Sequence, residues 1–211
     1  NTFQNNIFYI TDAGSPAIAG DSNTIAGAFI DYNVYHFIQT SAIYGTYADL
    51  RSWQLEKQHD YRSAITNPLF ANVDSGDLHL QSTAGRFVDN LGWINDSASS
   101  WAIDKGNPLS SYSQEPATNG NRINIGAYGG TEFASKGTTN FVVYARVLND
   151  PTYIGDTNSL WPLIWTVQNV PGGITFRVQY SGDGGTNWVD LATNVDAYTE
   201  YVLWQTEPYY N

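Results

Sequence analysis

The sequence predicts an all-β chain in two parts: the last coils and cap of a parallel β-helix over residues 1–136, then a small antiparallel β-sandwich, short of a full set of strands, over 137–211. Three observations predict it. A tetrapeptide repeats at coil-like spacing, the composition favours strands and turns, and the hydrophobic pattern becomes cleanly alternating beyond a polar linker.

The repeat comes first along the chain. Asn6-Ile7-Phe8-Tyr9 returns as Asn33-Val34-Tyr35-His36, with asparagine ahead of a β-branched residue and an aromatic in each copy. One coil of a parallel β-helix takes roughly two dozen residues, so this spacing fits a coil plus a short loop. Asparagines in register on successive turns can bond one another along the stacking axis. Ile7 and Val34 are then expected in a shared core. Between the copies, Gly14 to Gly27 is rich in Gly, Ala and Ser and reads as a loop with one weak strand.

The composition agrees. Hydrophobic residues make up 42% of the 211, enough for a core, while only 14% are charged. Asn, Ser, Thr, Gly and aromatics fill the difference. Asn, Ser and Gly compete with helix formation, and Tyr, Trp and Val suit a pleated surface.

Asp49 caps a short helical turn running through Leu50, Trp53 and Leu55. Asn67-Pro68-Leu69-Phe70 is a turn entering a strand, Ser75-Gly76-Asp77 is another turn, and Leu78-His79-Leu80 is a short alternating strand that turns His79 outward. Gly85 to Ser100 is expected to be irregular, with Trp93 and Trp101 covering the end of a core. Ala134 to Asn140 is a polar linker. Beyond it, strands are expected at 141–147, 163–167, 175–180, 188–192 and 201–204, with Ser181 to Gly185 as a Gly-rich hairpin loop.

The series Asn5-Asn6-Ile7-Phe8, Asp31-Tyr32-Asn33-Val34-Tyr35, Asn67-Pro68-Leu69-Phe70, Gly76-Asp77-Leu78-His79-Leu80, Ala102-Ile103-Asp104-Lys105-Gly106 and Ile123-Asn124-Ile125-Gly126-Ala127-Tyr128 resembles the tail of bacterial right-handed β-helix proteins of the pectate-lyase-like superfold. Their tails follow a "dPlF…dfhL…SPaID.G…diGAyE" pattern. The resemblance covers about residues 1–136. It departs at the interrupted segment Ala84 to Asp89 and Ala102 to Asp104, and at Gly129-Gly130-Thr131-Glu132, where a Tyr-Glu ending is commoner. It implies that the Trp- and Tyr-rich stretch from Asp89 to Tyr128 plugs the end of the helix, as solenoids require. Residues 141–211 resemble the immunoglobulin-like or fibronectin-like modules of secreted bacterial proteins, carrying their "V.YS.DGG.tW..la" hairpin. The module reads as one or two strands short, so a neighbour could supply a strand at its edge.

Function classes narrow in step. The formal charge of −11 argues against nucleic acid, which needs a basic face. No stretch is apolar for long enough to span a membrane. Without cysteine there is neither a disulfide nor a thiolate metal site. Methionine is absent even at position 1, so the chain is expected to begin inside a longer reading frame or to be a processed product. The resemblance implies an extracellular or cell-surface bacterial setting.

The same superfold hosts polysaccharide lyases and hydrolases, which the resemblance makes a candidate activity. A lyase needs a base and a partner for the substrate carboxylate. His36, Lys57, His59, Arg62 and His79 are the available groups, with His59, Asp60 and Arg62 clustered in sequence. The competing reading makes them loop and turn residues that fix the coil. A hydrolase needs two carboxylates, for which Asp31 and Asp60 could lie on adjacent coils. Asp74, Asp77 and Asp183 lie in turns able to offer oxygens to Ca²⁺, though none completes the spaced-ligand loop. No other cofactor is expected. Gly182 to Gly185 precedes no helix and so is no phosphate cradle. Asn95-Asp96-Ser97 matches a glycosylation acceptor in form only. Tyr44, Tyr47, Tyr112 and Tyr153 could stack on sugars, or else pack sheets and ends.

These readings predict a non-catalytic part of a secreted or surface β-helix protein with a structural, adhesive or carbohydrate-engaging role. The alternative is the C-terminal part of a lyase or hydrolase whose groove lies upstream. A third reading is self-assembly through the open sandwich edge.

Overall fold

In the computed structural model, residues 1–146 and 160–205 are described, and the backbone forms two compact units, Asn1–Asn140 and Phe141–Asn211. The expected site residue Tyr153 and the end of the first sandwich strand at Val147 fall outside the described residues. Both units are mainly β, with few and short helices.

The first unit is organised by parallel pairing. Strands β1 (Thr2–Gln4) and β3 (Phe29–Asp31) pair with Phe3 opposite Ile30. Strands β2 (Ile7–Ile10), β4 (Val34–Phe37) and β5 (Ala64–Ile65) form a second parallel ladder, with Ile7 opposite Val34 and Val34 opposite Ala64. Each rung turns a corner between its two strands. Asn5 and Tyr32 hold the same corner position with φ of 59° in both, and the Asn5 N–H donates to the Tyr32 carbonyl at 2.9 Å. Asparagine tolerates the left-handed region well. A tyrosine there is uncommon and is held by its surroundings.

Alternation along β2 and β4 divides two clusters. Phe8, Tyr35 and Phe37 face Ile18, Ile25, Ile30, Ile43 and Trp53, and the Phe8 and Tyr35 rings stack at 5.1 Å and 7°. Ile7 and Val34 face Leu80, Ala102, Ile103 and Ile125. The ladder is therefore apolar on both faces, as parallel strands covered on both sides generally are.

Two helices line the first cluster. Helix α2 (Leu50–Lys57) starts where the sequence places it, with the Asp49 carboxylate accepting from the Ser52 N–H at 2.8 Å, and it buries Trp53. Helix α1 (Ser22–Ala26) corrects the loop-with-strand expectation for that segment. Asp21 caps it by accepting from the N–H groups of Asn23 and Thr24, and Ile25 anchors it in the core. Cap and anchor outweigh the poor helix composition.

Strands β6 (Phe70–Asn72) and β7 (Asp77–Leu80) form an antiparallel hairpin around the expected turn. The segment expected to be irregular contains a second hairpin, β8 (Arg86–Val88) with β9 (Gly92–Ile94), pairing Phe87 with Trp93. Positive φ at Asn90 and Gly92 supplies its turn, and a two-point Arg86–Asp96 ion pair with both contacts at 3.0 Å clamps its base. His79 is a further correction. It is buried, not outward, because Tyr128 lies across it with rings stacked at 3.6 Å.

Residues 100–136 lie largely in turns and run back along the flank of the ladder. Gly126 N–H donates to the Asn5 carbonyl, and Asn107 N–H to the Asn5 side chain. This stretch therefore bonds to the corner residue of the first strand pair. Glu115 fastens this segment by accepting from the Asn124 and Gly130 N–H groups at 2.9 and 2.7 Å.

The second unit contains an antiparallel sheet, β10 (Val142–Arg146), β11 (Leu160–Gln168) and β14 (Tyr201–Gln205), and a hairpin, β12 (Thr175–Tyr180) with β13 (Val189–Asp196). Trp165, Val167 and Ala197 centre its core, with Phe176, Val178, Val195 and Val202 packed around them. Phe176 and Val178 are half-buried and Arg177 is exposed, the alternation legible in the sequence.

Candidate functional site

A polar cluster of the first unit lies at the corners between the paired strands and is built from three side chains at equal spacing in the sequence. Asn6 donates both its backbone N–H and its side-chain amide to Asn33 Oδ1, at 3.1 Å each. Asn33 in turn donates its amide to Asp60 Oδ1 at 3.2 Å and its backbone N–H to Ser63 Oγ at 2.8 Å. Asn6 to Asn33 and Asn33 to Asp60 are both 27 residues. The asparagine stacking expected from the repeat is present, and it extends one step further, to a carboxylate.

Asp60 is fully buried. Besides Asn33, its carboxylate accepts from Tyr35 Oη and Trp53 Nε1 at 2.8 Å each, and from Ser63 Oγ. Gln54 Nε2 donates to its carbonyl at 2.6 Å. Burial pushes the Asp60 carboxyl up from its ordinary range, opposed by the hydroxyl, indole and amide donors. The neighbouring Asp31 is also buried, and its oxygens take the Arg62 guanidinium at 2.6 Å and the backbone N–H groups of Arg62 and Tyr32. Burial raises Asp31 as well. Arg62 pulls it down, and the charge of Asp60 pushes it further up. Burial and the Asp60 charge likewise hold the Tyr35 hydroxyl well above its usual value.

The other sequence-predicted residues are placed as follows. His59 is buried, with Nε2 3.1 Å from the Ile25 carbonyl and its ring 5.4 Å from Trp53. Lys57 Nζ lies 5.3 Å over the Tyr47 ring. Tyr44 and Tyr47 flank Trp53 at 5.6 and 5.5 Å, their hydroxyls donating to the Gly20 carbonyl and to Glu56. His36 is half-buried beside Tyr9, and burial lowers its pKa. Tyr112 is half-buried, and its carbonyl accepts from Glu115 N–H.

Of the calcium candidates, Asp74 is exposed in a short 3₁₀ turn. Asp77 meets His79 Nδ1 at 2.7 Å and Arg86 at 3.7 Å. Asp183 organises its own hairpin loop, accepting from Ser181 Oγ and from the Asn187 N–H and side-chain amide. These bonds pull Asp183 down to about 2. Among the described residues, no group of three or more His, Asp or Glu is placed to hold a metal ion.

The structure thus brings Asp31, Asp60 and Arg62 together, and leaves the calcium candidates apart. Sequence reasoning missed Asn33, Tyr35, Trp53 and Ser63 as partners of Asp60. The signal was present: Asp60 lies one repeat beyond Asn33.

Fold and site together define an all-β protein whose first unit is fastened by a column of side chains along stacked parallel rungs. Residues 2–106, just under half of the chain, match a family described as "Disaggregatase related". No curated protein and no solved structure matches the chain. Among the described residues no helix is long and apolar enough to cross a membrane.

Proposed function

We propose that the first unit is the C-terminal end of a right-handed parallel β-helix of the pectate-lyase-like kind, and that the second is an immunoglobulin- or fibronectin-like module. Together they form a non-catalytic part of an extracellular or cell-surface protein with a scaffolding, adhesive or carbohydrate-engaging role. One observation carries this reading. The residues best suited to chemistry, Asp31, Asp60 and Arg62, are committed to holding the rungs together, and Asp60 has no exposed surface. A general acid, base or nucleophile must come within hydrogen-bond reach of its substrate. The parallel pairing of β2, β4 and β5 and the repeated left-handed corner support the coil architecture. The description of the matched family supports a setting in which aggregates form and come apart.

The test is incubation of the chain with a panel of acidic and neutral polysaccharides. Retention on an immobilised polysaccharide, with neither new reducing ends nor unsaturated products, is the expected result. Cleavage of any defined polysaccharide by this chain would overturn the non-catalytic reading and favour the second reading, the C-terminal part of a lyase or hydrolase. The "-ase" in the family's description favours that reading.

A further inference from the structure

We propose that the β8–β9 hairpin carries a sugar-binding face, with Trp93 and Phe133 as its platform, Lys136 as its hydrogen-bond donor and a neutral glycan as its ligand. This rests on the carbohydrate-engaging reading above and gives it a place. The contacts that build the face all join residues 82–136.

Phe87 and Trp93 stand opposite each other in the hairpin, so their side chains leave it on the same side. The Phe87 ring meets two others, Trp93 at 5.7 Å and edge-on, and Phe133 at 4.9 Å. Phe87 is half-buried, whereas Trp93 and Phe133 are 37% and 39% exposed. Lys136 is held over the indole, with Nζ 4.2 Å from the ring centre. Its backbone is fixed on both sides: the N–H donates to the Gly85 carbonyl at 2.8 Å, and the carbonyl accepts from Ser82 Oγ at 2.6 Å. Gly85 makes the room, since a Cβ there would lie 3.1 Å from Lys136 Cδ and 3.5 Å from Trp93 Cε3. The face is thus assembled before a ligand arrives, which lowers the ordering cost of binding.

Its chemistry selects the ligand. Exposed apolar surface rimmed by polar groups marks a binding surface. The exposed rings offer apolar area to the C–H face of a pyranose, and an ammonium has three hydrogens to give to its hydroxyls. None of the ion pairs among the described residues includes Lys136. A polyanion fits poorly. Asp77 and Asp96 flank Arg86 at the start of β8, and the exposed Asp89 and Glu132 adjoin Val88 and Phe133 in the sequence, so carboxylates outnumber cations around the face and repel further negative charge. A neutral glycan meets no such barrier.

The experiment uses the full chain, with cellohexaose and chitohexaose as neutral probes and hexagalacturonate as the acidic one. Binding is read by calorimetry and by the indole N–H resonances. A neutral probe should bind and shift the Trp93 resonance, identified by its loss in Trp93→Phe. Trp93→Ala should weaken that binding about tenfold, and Phe133→Ala and Lys136→Met about threefold each, with circular dichroism and urea midpoints of the latter two unchanged. Trp188→Ala, an exposed indole of the second unit, should bind as the parent chain does. Binding of a neutral probe that survives Trp93→Ala and Phe133→Ala would overturn the site and leave the carbohydrate-engaging reading standing. No binding of either neutral probe at about 1 mM would overturn the proposal, while retention on an immobilised polysaccharide would still carry the wider reading. Tighter binding of hexagalacturonate than of both neutral probes would overturn the choice of ligand.

Discussion

At the residue scale, Asp60 concentrates more consequence than any other side chain of the first unit. Its carboxylate takes bonds from Asn33, Tyr35, Trp53 and Ser63 in a site without water access. Removing an acceptor leaves every donor buried and unmatched, which is the expensive side of hydrogen-bond energetics. Asp60→Ala is expected to destabilise the first unit by about 3–5 kcal/mol, read as a lower urea midpoint by Trp fluorescence. Asp60→Asn should recover part of this, because the amide keeps one acceptor oxygen but points hydrogens at donors. A second residue-scale prediction concerns Gly137. A Cβ there would collide with the buried Asp104 carboxylate, so Gly137→Ala should cost about 1–3 kcal/mol through overpacking. Ala at the exposed Gly172, where a Cβ meets nothing, serves as control in the same urea titration.

At the scale of elements, the sequence was most informative where local chemistry decides and least where burial decides. The Asp49 cap of α2 was legible because an N-cap acts within three residues. Asp49→Ala should cost about 1 kcal/mol, measurable by thermal denaturation. The strands of the second unit were legible by alternation, β12 to the residue. The β8–β9 hairpin was not, because its clamp joins Arg86, at the start of β8, to Asp96, which lies beyond the end of β9. Alternation turns His79 outward because it assigns only one face of a strand to the core, and here the chain returns with Tyr128 to cover the other. The sequence clusters His59, Asp60 and Arg62, and the structure buries His59 and Asp60 and holds Arg62 on Asp31. Sequence could not show that they are enclosed.

The second unit offers a separate test at this scale. Asp183 holds the hairpin loop through Ser181 and Asn187, and the Trp188 indole donates to the Gly185 carbonyl at 3.0 Å. Its carboxyl titrates low, so its contribution is present above the ordinary aspartate range and fades as pH falls toward about 2. Asp183→Ala should therefore loosen the loop at pH 7, seen as faster proteolysis between residues 181 and 188, and make little difference near pH 2.

At the scale of the whole molecule, the buried carboxylates set the response to acid. Asp31, Asp60 and Glu115 all titrate above their ordinary values because burial penalises their charge. Groups raised in the folded state contribute stability fully below their unfolded pKa, near 4, and lose it as pH rises through the folded value. Asp96 and Asp183 titrate low and act oppositely, withdrawing their contribution only below that range. The urea midpoint of the first unit is expected to be higher at pH 5 than at pH 7.5, then to fall below about pH 3.5. In Asp60→Ala the gain on acidification should shrink.

The two-sided burial of the ladder also bears on how the chain finds its frame. Where a sheet has one wet face, sliding a strand by one position turns its greasy side outward and is refused. Here Ile7 and Phe8 both enter apolar surroundings, as do Val34 and Tyr35, so oiliness barely distinguishes one alignment from the next. The choice falls to the amide column, in which Asn6 can meet Asn33 in a single alignment. Replacing Asn33 with leucine should accordingly yield a mixture of slipped forms, visible as doubled amide resonances along β2.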